Sequence, residues 1–158
     1  MKKQFTATVY ILDQGQVLLI YHKKLGKWLP PGGHLELNEL PHEGAIREAK
    51  EETGLDVELI LQENLWVDRW NAKSIPRPYF CMIEEIAARA DEPAHQHIDL
   101  LYIAKPLHKE LVHNHAETSG LRWFNAAEIA VLKGDEEIFI ETQETIRHLL
   151  AEFSPTKL

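Results

Sequence analysis

The strongest pattern at the start of the chain is two apolar runs separated by a polar turn. Phe5 to Leu12 is rich in β-branched and aromatic residues and predicts a strand, Asp13-Gln14-Gly15 supplies a turn, and Val17 to Tyr21 is almost continuously apolar. Together they predict a hairpin whose second strand is buried on both faces. Trp28-Leu29-Pro30-Pro31-Gly32-Gly33 then reads as a loop, because the prolines remove two backbone donors and the glycines free the backbone. Asn38 to Thr53 consists of good helix formers and ends at Gly54, a suitable residue just past a helix.

Further along, Val57 to Val67 is predicted to be extended at least in part, and residues 68 to 78 form a long loop. Tyr79 to Ile86 and Ile98 to Ala104 predict strands, with a short one at Leu121 to Phe124. Ala126 to Leu132 and Glu136 to Phe153 have helical periodicity, and Ile138, Ile140, Thr145, Ile146, Leu149 and Leu150 make an apolar face on the second. Neither an internal repeat nor a low-complexity segment interrupts the pattern. Strands flanked by helices predict a layered α/β or α+β domain. A chain of 158 residues suits one domain spanning 1–158.

Composition narrows the range of partners. With 44% hydrophobic and 27% charged residues the chain is expected to be globular. Its formal charge of -8 argues against nucleic-acid polymers and anionic membranes as general partners. Small phosphate-bearing ligands stay open, since a bound metal ion can reverse the local sign. The single cysteine, Cys81, has no internal disulfide partner, which points to reduced, cytoplasmic surroundings. No signal peptide is legible, and no run approaches the roughly 20 apolar residues of a membrane span. These features predict a soluble, intracellular protein with no membrane contact.

The chemistry concentrates in Gly33 to Leu55. Six glutamates (Glu36, Glu39, Glu43, Glu48, Glu51 and Glu52) fall within 17 residues, where an even spread of the 25 acids would place about three. On a helical wheel of about 100° per residue, Glu48, Glu51 and Glu52 share one arc, and Ile46, Ala49 and Thr53 lie on a neighbouring arc facing a core. Like charges at these spacings repel by roughly 0.2–0.5 kcal/mol per pair. A hard divalent cation, which takes carboxylate and phosphate oxygens, would relieve that repulsion. Taken alone, the row reads more readily as a solvated acidic face than as a metal site.

The spacing of the whole stretch decides between these readings. Gly33, five residues, Glu39, seven residues, and then Arg47-Glu48-Ala49-Lys50-Glu51-Glu52-Thr53-Gly54-Leu55 is similar to the signature of the Nudix hydrolase family, G-x5-E-x7-R-E-U-x-E-E-x-G-U, where U is a bulky aliphatic residue. Every polar and glycine position fits, and only Ala49 is small for its place. At usages of about 5–7% per residue type, a chance match is on the order of one in ten million. The resemblance extends loosely over residues 5 to 150, through the hairpin, the Trp28 to Gly33 lead and the late Trp123-Phe124 pair before a C-terminal helix.

The resemblance implies an α/β/α sandwich with a mixed central sheet, in the α/β class. It implies a magnesium- or manganese-dependent pyrophosphohydrolase acting on a diphosphate linkage between a nucleoside and another group, that is, a small nucleotide-type substrate. Glu48, Glu51 and Glu52 would bind the metal, with the carbonyl of Gly33 completing the site. Glu48 or Glu52 would serve as general base, and Arg47 would brace the glutamates through an ion pair with Glu39. Glu117, six positions before Trp123, matches a later-loop glutamate that binds metal or acts as base in several relatives. A homodimer is also compatible with the family. The competing reading is a catalytically inactive nucleotide-sensing module of the same fold, and retention of all the motif glutamates argues against it.

Other side chains carry weaker signals. His95, His97 and Asp99 alternate and are expected on one face of a strand start, though a fourth zinc ligand is lacking. His113 and His115 adjoin Glu117, and Lys23 and Lys24 place positive charge near the motif as candidate phosphate contacts. Trp66, Trp70, Tyr79 and Phe80 are candidates for a stacking platform, with core packing the commoner role.

Overall fold

The computed structural model describes residues 1–116 and 118–155. In chain order the elements are β1 (Lys3–Asp13), β2 (Gln16–His22), β3 (Lys27–Leu29), β4 (Gly32–His34), α1 (Pro41–Thr53), β5 (Val57–Leu59), β6 (Phe80–Ile86), β7 (His95–Pro106), β8 (Thr118–Asn125), α2 (Ala126–Ala130) and α3 (Ile140–Glu152). The sheet is mixed. β1 runs parallel to β7 over nine register pairs from Lys3↔Gln96 to Ile11↔Ala104, and the other strand pairings are antiparallel.

The predicted hairpin forms, with Gln14 and Gly15 both at positive φ in its turn. Its two strands share only Leu12↔Val17 and Asp13↔Gln16 before diverging. β1 then serves β4 and β7, while β2 pairs with β3 and β8, so this long strand joins the two halves of the sheet. Val17 to Ile20 are buried, as their unbroken apolar run requires.

Helices cover both faces of the sheet. One apolar cluster joins Ala7, Val9 and Ile11 of β1 to Ala45 and Ala49 of α1. The other joins Tyr10 and Leu12, from the opposite pleat, to Ile129 of α2 and Ile146, Leu149 and Leu150 of α3. The strand period of two sorts β1 between these cores, which gives the α/β/α sandwich.

Several boundaries differ from the expectation. The segment expected to be a loop contains the short strands β3 and β4, because Trp28 and the two glycines pair with β2 and β1. α1 begins at Pro41 rather than Asn38, which sits at φ 65 and is outside the helical region. α3 begins at Ile140 rather than Glu136; Gly134 bridges to Ile138 in the preceding segment, which keeps Ile138 in the core without a helix. Ile140 is therefore exposed instead of lying on the buried face, and Thr145 is only half-buried. β7 and β8 are longer than predicted, since polar residues at their ends still join the ladder. Cys81 lies on the exposed face of β6, whose other face carries Phe80 and Met82 against the core.

Candidate active site

α1 is started by Pro41 in its first turn and by the Leu40 amide donating to Glu43 Oε2 at 3.0 Å. It is stopped at Gly54, whose φ of 78 lets its amide reach the Lys50 carbonyl at 2.9 Å. Ala45, Ala49 and Thr53 recur every four residues and are fully buried, so small side chains make the contact with the sheet. The wheel then places Glu48 and Glu52 on one flank of that contact and Ile46 on the other. Glu48 and Glu52 are only 8% and 3% exposed, whereas Ile46 is exposed, contrary to its expected place in the core. Glu51, one step further round, is half-exposed.

The strand β4 delivers the glycines to those carboxylates. The Gly32 amide donates to Glu52 Oε1 at 2.8 Å. A Cβ added to Gly33 would stand 2.4 Å from Glu48 Oε1, so only glycine lets the backbone approach that carboxylate this closely. Glu48, Glu52 and Gly33 thus meet where β4 pairs with β1, beside α1.

Arg47 organises the entrance. Its Nε and Nη2 donate to the two oxygens of Glu39 at 2.7 and 3.0 Å, a bidentate pair. Its Nη1 donates to both Glu48 Oε1 at 2.9 Å and Glu51 Oε2 at 3.1 Å. Nη2 also reaches the His34 carbonyl at 3.1 Å, tying α1 to β4. Glu39 is held below the usual carboxylate range chiefly by the hydrogen bond from Arg47, against the opposing effect of burial. The guanidinium is in turn pushed further up, first by Glu39.

Among the described residues no three His, Cys, Asp or Glu side chains are already gathered as a metal-holding group. The donor set nevertheless fits a hard divalent ion. Glu48 and Glu51 both converge on one cationic nitrogen of Arg47, and the Gly33 position leaves no Cβ between backbone and Glu48. Glu117 lies outside the described residues.

The histidines and lysines separate. Lys23 Nζ donates to the His115 carbonyl, which ties the turn after β2 to the loop before β8. His113 and His115 pack with ring centroids 4.1 Å apart and planes tilted by 55°. Trp66 and Trp70 project from an exposed excursion, while Tyr79 and Phe80 pack against the α3 core.

His95, His97 and Asp99 do alternate along β7 and share one face, as expected, but the sequence points to none of the partners of Asp99. On the sheet face opposite α1, Asp99 is buried and accepts hydrogen bonds from Thr6 Oγ1 at 2.9 Å and Thr8 Oγ1 at 3.0 Å. Burial raises its carboxyl, with the threonine bonds opposing. Glu84 is pushed up to about 7 by burial and by neighbouring Asp99 and Glu141. His97 is pushed down to about 4 by burial and by His34 and His95. The register Thr6↔Asp99 and Met82↔Asp99 assembles this group from three strands, so no local motif announces it.

With this geometry in place, comparison with known proteins decides the family. The NUDIX domain model matches residues 2–143. The chain belongs to the Nudix domain family. It is 45% identical over 53 residues to a "MutT-like protein" of Streptomyces ambofaciens, covering 34% of each chain. It is 31% identical over 121 residues to a "Probable DHNTP pyrophosphohydrolase" of Lactococcus lactis subsp. cremoris (strain MG1363), covering 77% of this chain and 62% of that one. These matches therefore span less than two thirds of the two curated relatives. Among solved structures, a hydrolase of the NUDIX family from Clostridium perfringens superposes with a TM-score of 0.77 at 31% identity, over 96% of this chain and 98% of that one. The Nudix fold is the α/β/α sandwich described above. No helix among the described residues is long and apolar enough to cross a membrane.

Proposed function

We propose that this Nudix chain hydrolyses the diphosphate linkage of a small nucleotide-type substrate with the help of a divalent ion, Mg2+ or Mn2+. The observation that carries the reading is the pair of buried carboxylates, Glu48 and Glu52, held against the Gly32-Gly33 backbone. Two carboxylates side by side on one helix flank, next to a glycine backbone, supply the oxygen donors that a hard divalent ion takes. Glu48, Glu51, Glu52 and the Gly33 carbonyl would hold the ion, with Glu117 as the remaining carboxylate assigned by resemblance. When bound, the ion supplies charge neutralisation at the phosphoryl oxygens and acidifies water.

The protein's own groups do the rest. Glu52 is oriented by the Gly32 amide, and Glu48 by Arg47, so each carboxylate presents a defined oxygen. Either can accept the proton of the attacking water. Arg47 acts as a positioning residue: all of its described contacts are to carboxylates and the His34 carbonyl. The exposed, unpaired Cys81 suits a reducing, cytoplasmic compartment. The relative named for DHNTP makes dihydroneopterin triphosphate a reasonable member of any substrate panel.

The test is release of phosphate or pyrophosphate from a panel of nucleoside triphosphates, nucleotide sugars, ADP-ribose and dihydroneopterin triphosphate. Turnover of at least one compound, abolished by EDTA and restored by Mg2+ or Mn2+, is expected. Tight binding of one panel member without turnover would instead identify a sensing module.

A further inference from the structure

A second donor set lies at the outer end of β7, on the sheet face opposite α1. His95 and His97 are two residues apart on one strand, so the backbone itself puts both rings on that face. His95 Nδ1 is 3.0 Å from the Pro93 carbonyl oxygen. A carbonyl only accepts, so Nδ1 carries a proton, and in the neutral ring Nε2 is then left with a lone pair. That lone pair faces His97 Nε2 at 3.2 Å. Two imidazole nitrogens bound at about 2.0–2.1 Å to a tetrahedral ion stand about 3.3 Å apart, which this spacing already matches.

The surroundings supply what such a pair needs. Glu92, in the turn leading into β7, places Oε1 3.7 Å from His95 Nε2 on a side chain that is 45% exposed. Glu84 Oε2 lies 3.8 Å from His97 Nδ1, on the side from which a carboxylate orients a metal-bound histidine. Asp99, which alternates with the two histidines, accepts from both Thr6 and Thr8 on one oxygen, Oδ1, and is not counted in the donor set.

We propose that His95 and His97, completed by Glu92 and by water, bind a borderline divalent transition ion, zinc being the type case, at the mouth of the β6–β7 hairpin. This site is chemically distinct from the carboxylate row of α1. Imidazole ligands suit zinc, copper or nickel, while all-oxygen donors suit magnesium and manganese. Bound there, the ion would clip β6 to β7 through Glu84 and the two histidines. The proposal does not depend on the hydrolase reading.

The experiment uses the full chain in millimolar Mg2+, which keeps the α1 carboxylates supplied. Zn2+ binding is measured by competition with a chromogenic chelator, and Co2+ is added separately to read its visible absorption. One equivalent of Zn2+ that Mg2+ does not displace is expected, together with the intense visible bands of tetrahedral Co2+. His97→Ala should weaken Zn2+ binding by about 100-fold and Glu92→Gln by about tenfold, with Glu52→Gln leaving it unchanged. Glu92 is a surface residue, so that variant remains informative should His97→Ala melt early. Absence of Mg2+-resistant Zn2+ from the wild-type chain, or wild-type affinity in both His97→Ala and Glu92→Gln, would overturn the site. In that case the histidines form a plain N–H···N hydrogen bond.

Discussion

Arg47 grips Glu39 through two separate nitrogens, at 2.7 and 3.0 Å, across eight residues of sequence that include the start of α1. Glu39 in turn accepts from the Glu36 amide at 2.9 Å, so one ion pair folds the loop before the helix back onto the helix. The same guanidinium holds Glu48 and Glu51. Arg47→Ala should therefore cost about 2 kcal/mol in urea unfolding, the scale of hydrogen bonds to charged groups. Arg47→Lys should recover less than half of that, because an ammonium cannot reproduce the planar fork. Full recovery by lysine would show that charge alone matters.

Glu52 separates structure from chemistry. In Glu52→Gln the side-chain carbonyl can still accept the Gly32 amide now found at 2.8 Å, so the thermal midpoint should move little. The negative charge needed for a divalent ion is gone, and metal-dependent turnover should fall by at least about 100-fold. Activity within about twofold of wild type would mean that the ion is held elsewhere.

The two adjacent glycines should answer differently to alanine. At Gly33 the new methyl meets Glu48 Oε1 at 2.4 Å, the far end of a side chain that can swing away. Turnover should drop by about tenfold or more while stability falls by less than at Gly32, since a side chain is displaced rather than backbone. At Gly32 the methyl meets the Ala7 carbonyl at 2.9 Å and Thr8 Cα at 3.0 Å, which are backbone atoms of β1 and cannot swing. Gly32→Ala should lower the thermal midpoint. Paired melting curves and rate measurements check both, and equal stability losses would contradict the contrast.

How much of this was legible beforehand depends on how local the cause was. The α1 carboxylates, their glycine and the stop at Gly54 are read from spacing within 23 residues, where one motif carries the pattern. Ile46 was misplaced because the wheel ranks hydrophobicity, while the sheet contact is made by the small residues Ala45, Ala49 and Thr53 that allow close approach. The brief β1–β2 pairing was hidden for a similar reason: β1 spends most of its length beside β7, some 90 residues away. Asp99 with Thr6 and Thr8 is the extreme case, built across strands with no shared window of sequence.

Gly54 offers a test of backbone geometry alone. Its φ of 78 is a conformation that side-chain-bearing residues resist, and a Cβ there would meet Val112 N and Cβ at 2.7 Å. Val112 is itself anchored, its amide donating to the Thr53 carbonyl at 2.8 Å. Gly54→Ala should thus destabilise the fold by about 1–3 kcal/mol in urea unfolding, combining strain with the lost helix stop. A change below about 0.5 kcal/mol would show that the loop after β7 yields freely.

The acid limb of stability should carry the signature of Glu39. Its carboxyl is held below the ordinary value of 4.5, first by the Arg47 hydrogen bond and then by the Glu36 amide, with burial opposing. Between the lowered folded value and the unfolded one, the unfolded chain binds more protons, so stability rises with pH across that window. The contribution is complete above about pH 4.5 and is lost as pH falls through the folded value. Glu39→Gln removes the titration while keeping a side chain of the same shape. Urea midpoints of wild type and variant should differ most near neutral pH and draw together as the pH is lowered from about 5 to about 3. A difference that stays constant across that range would mean that Glu39 keeps its proton equilibrium on folding, and that Arg47 is held in place by Glu48 and Glu51 instead.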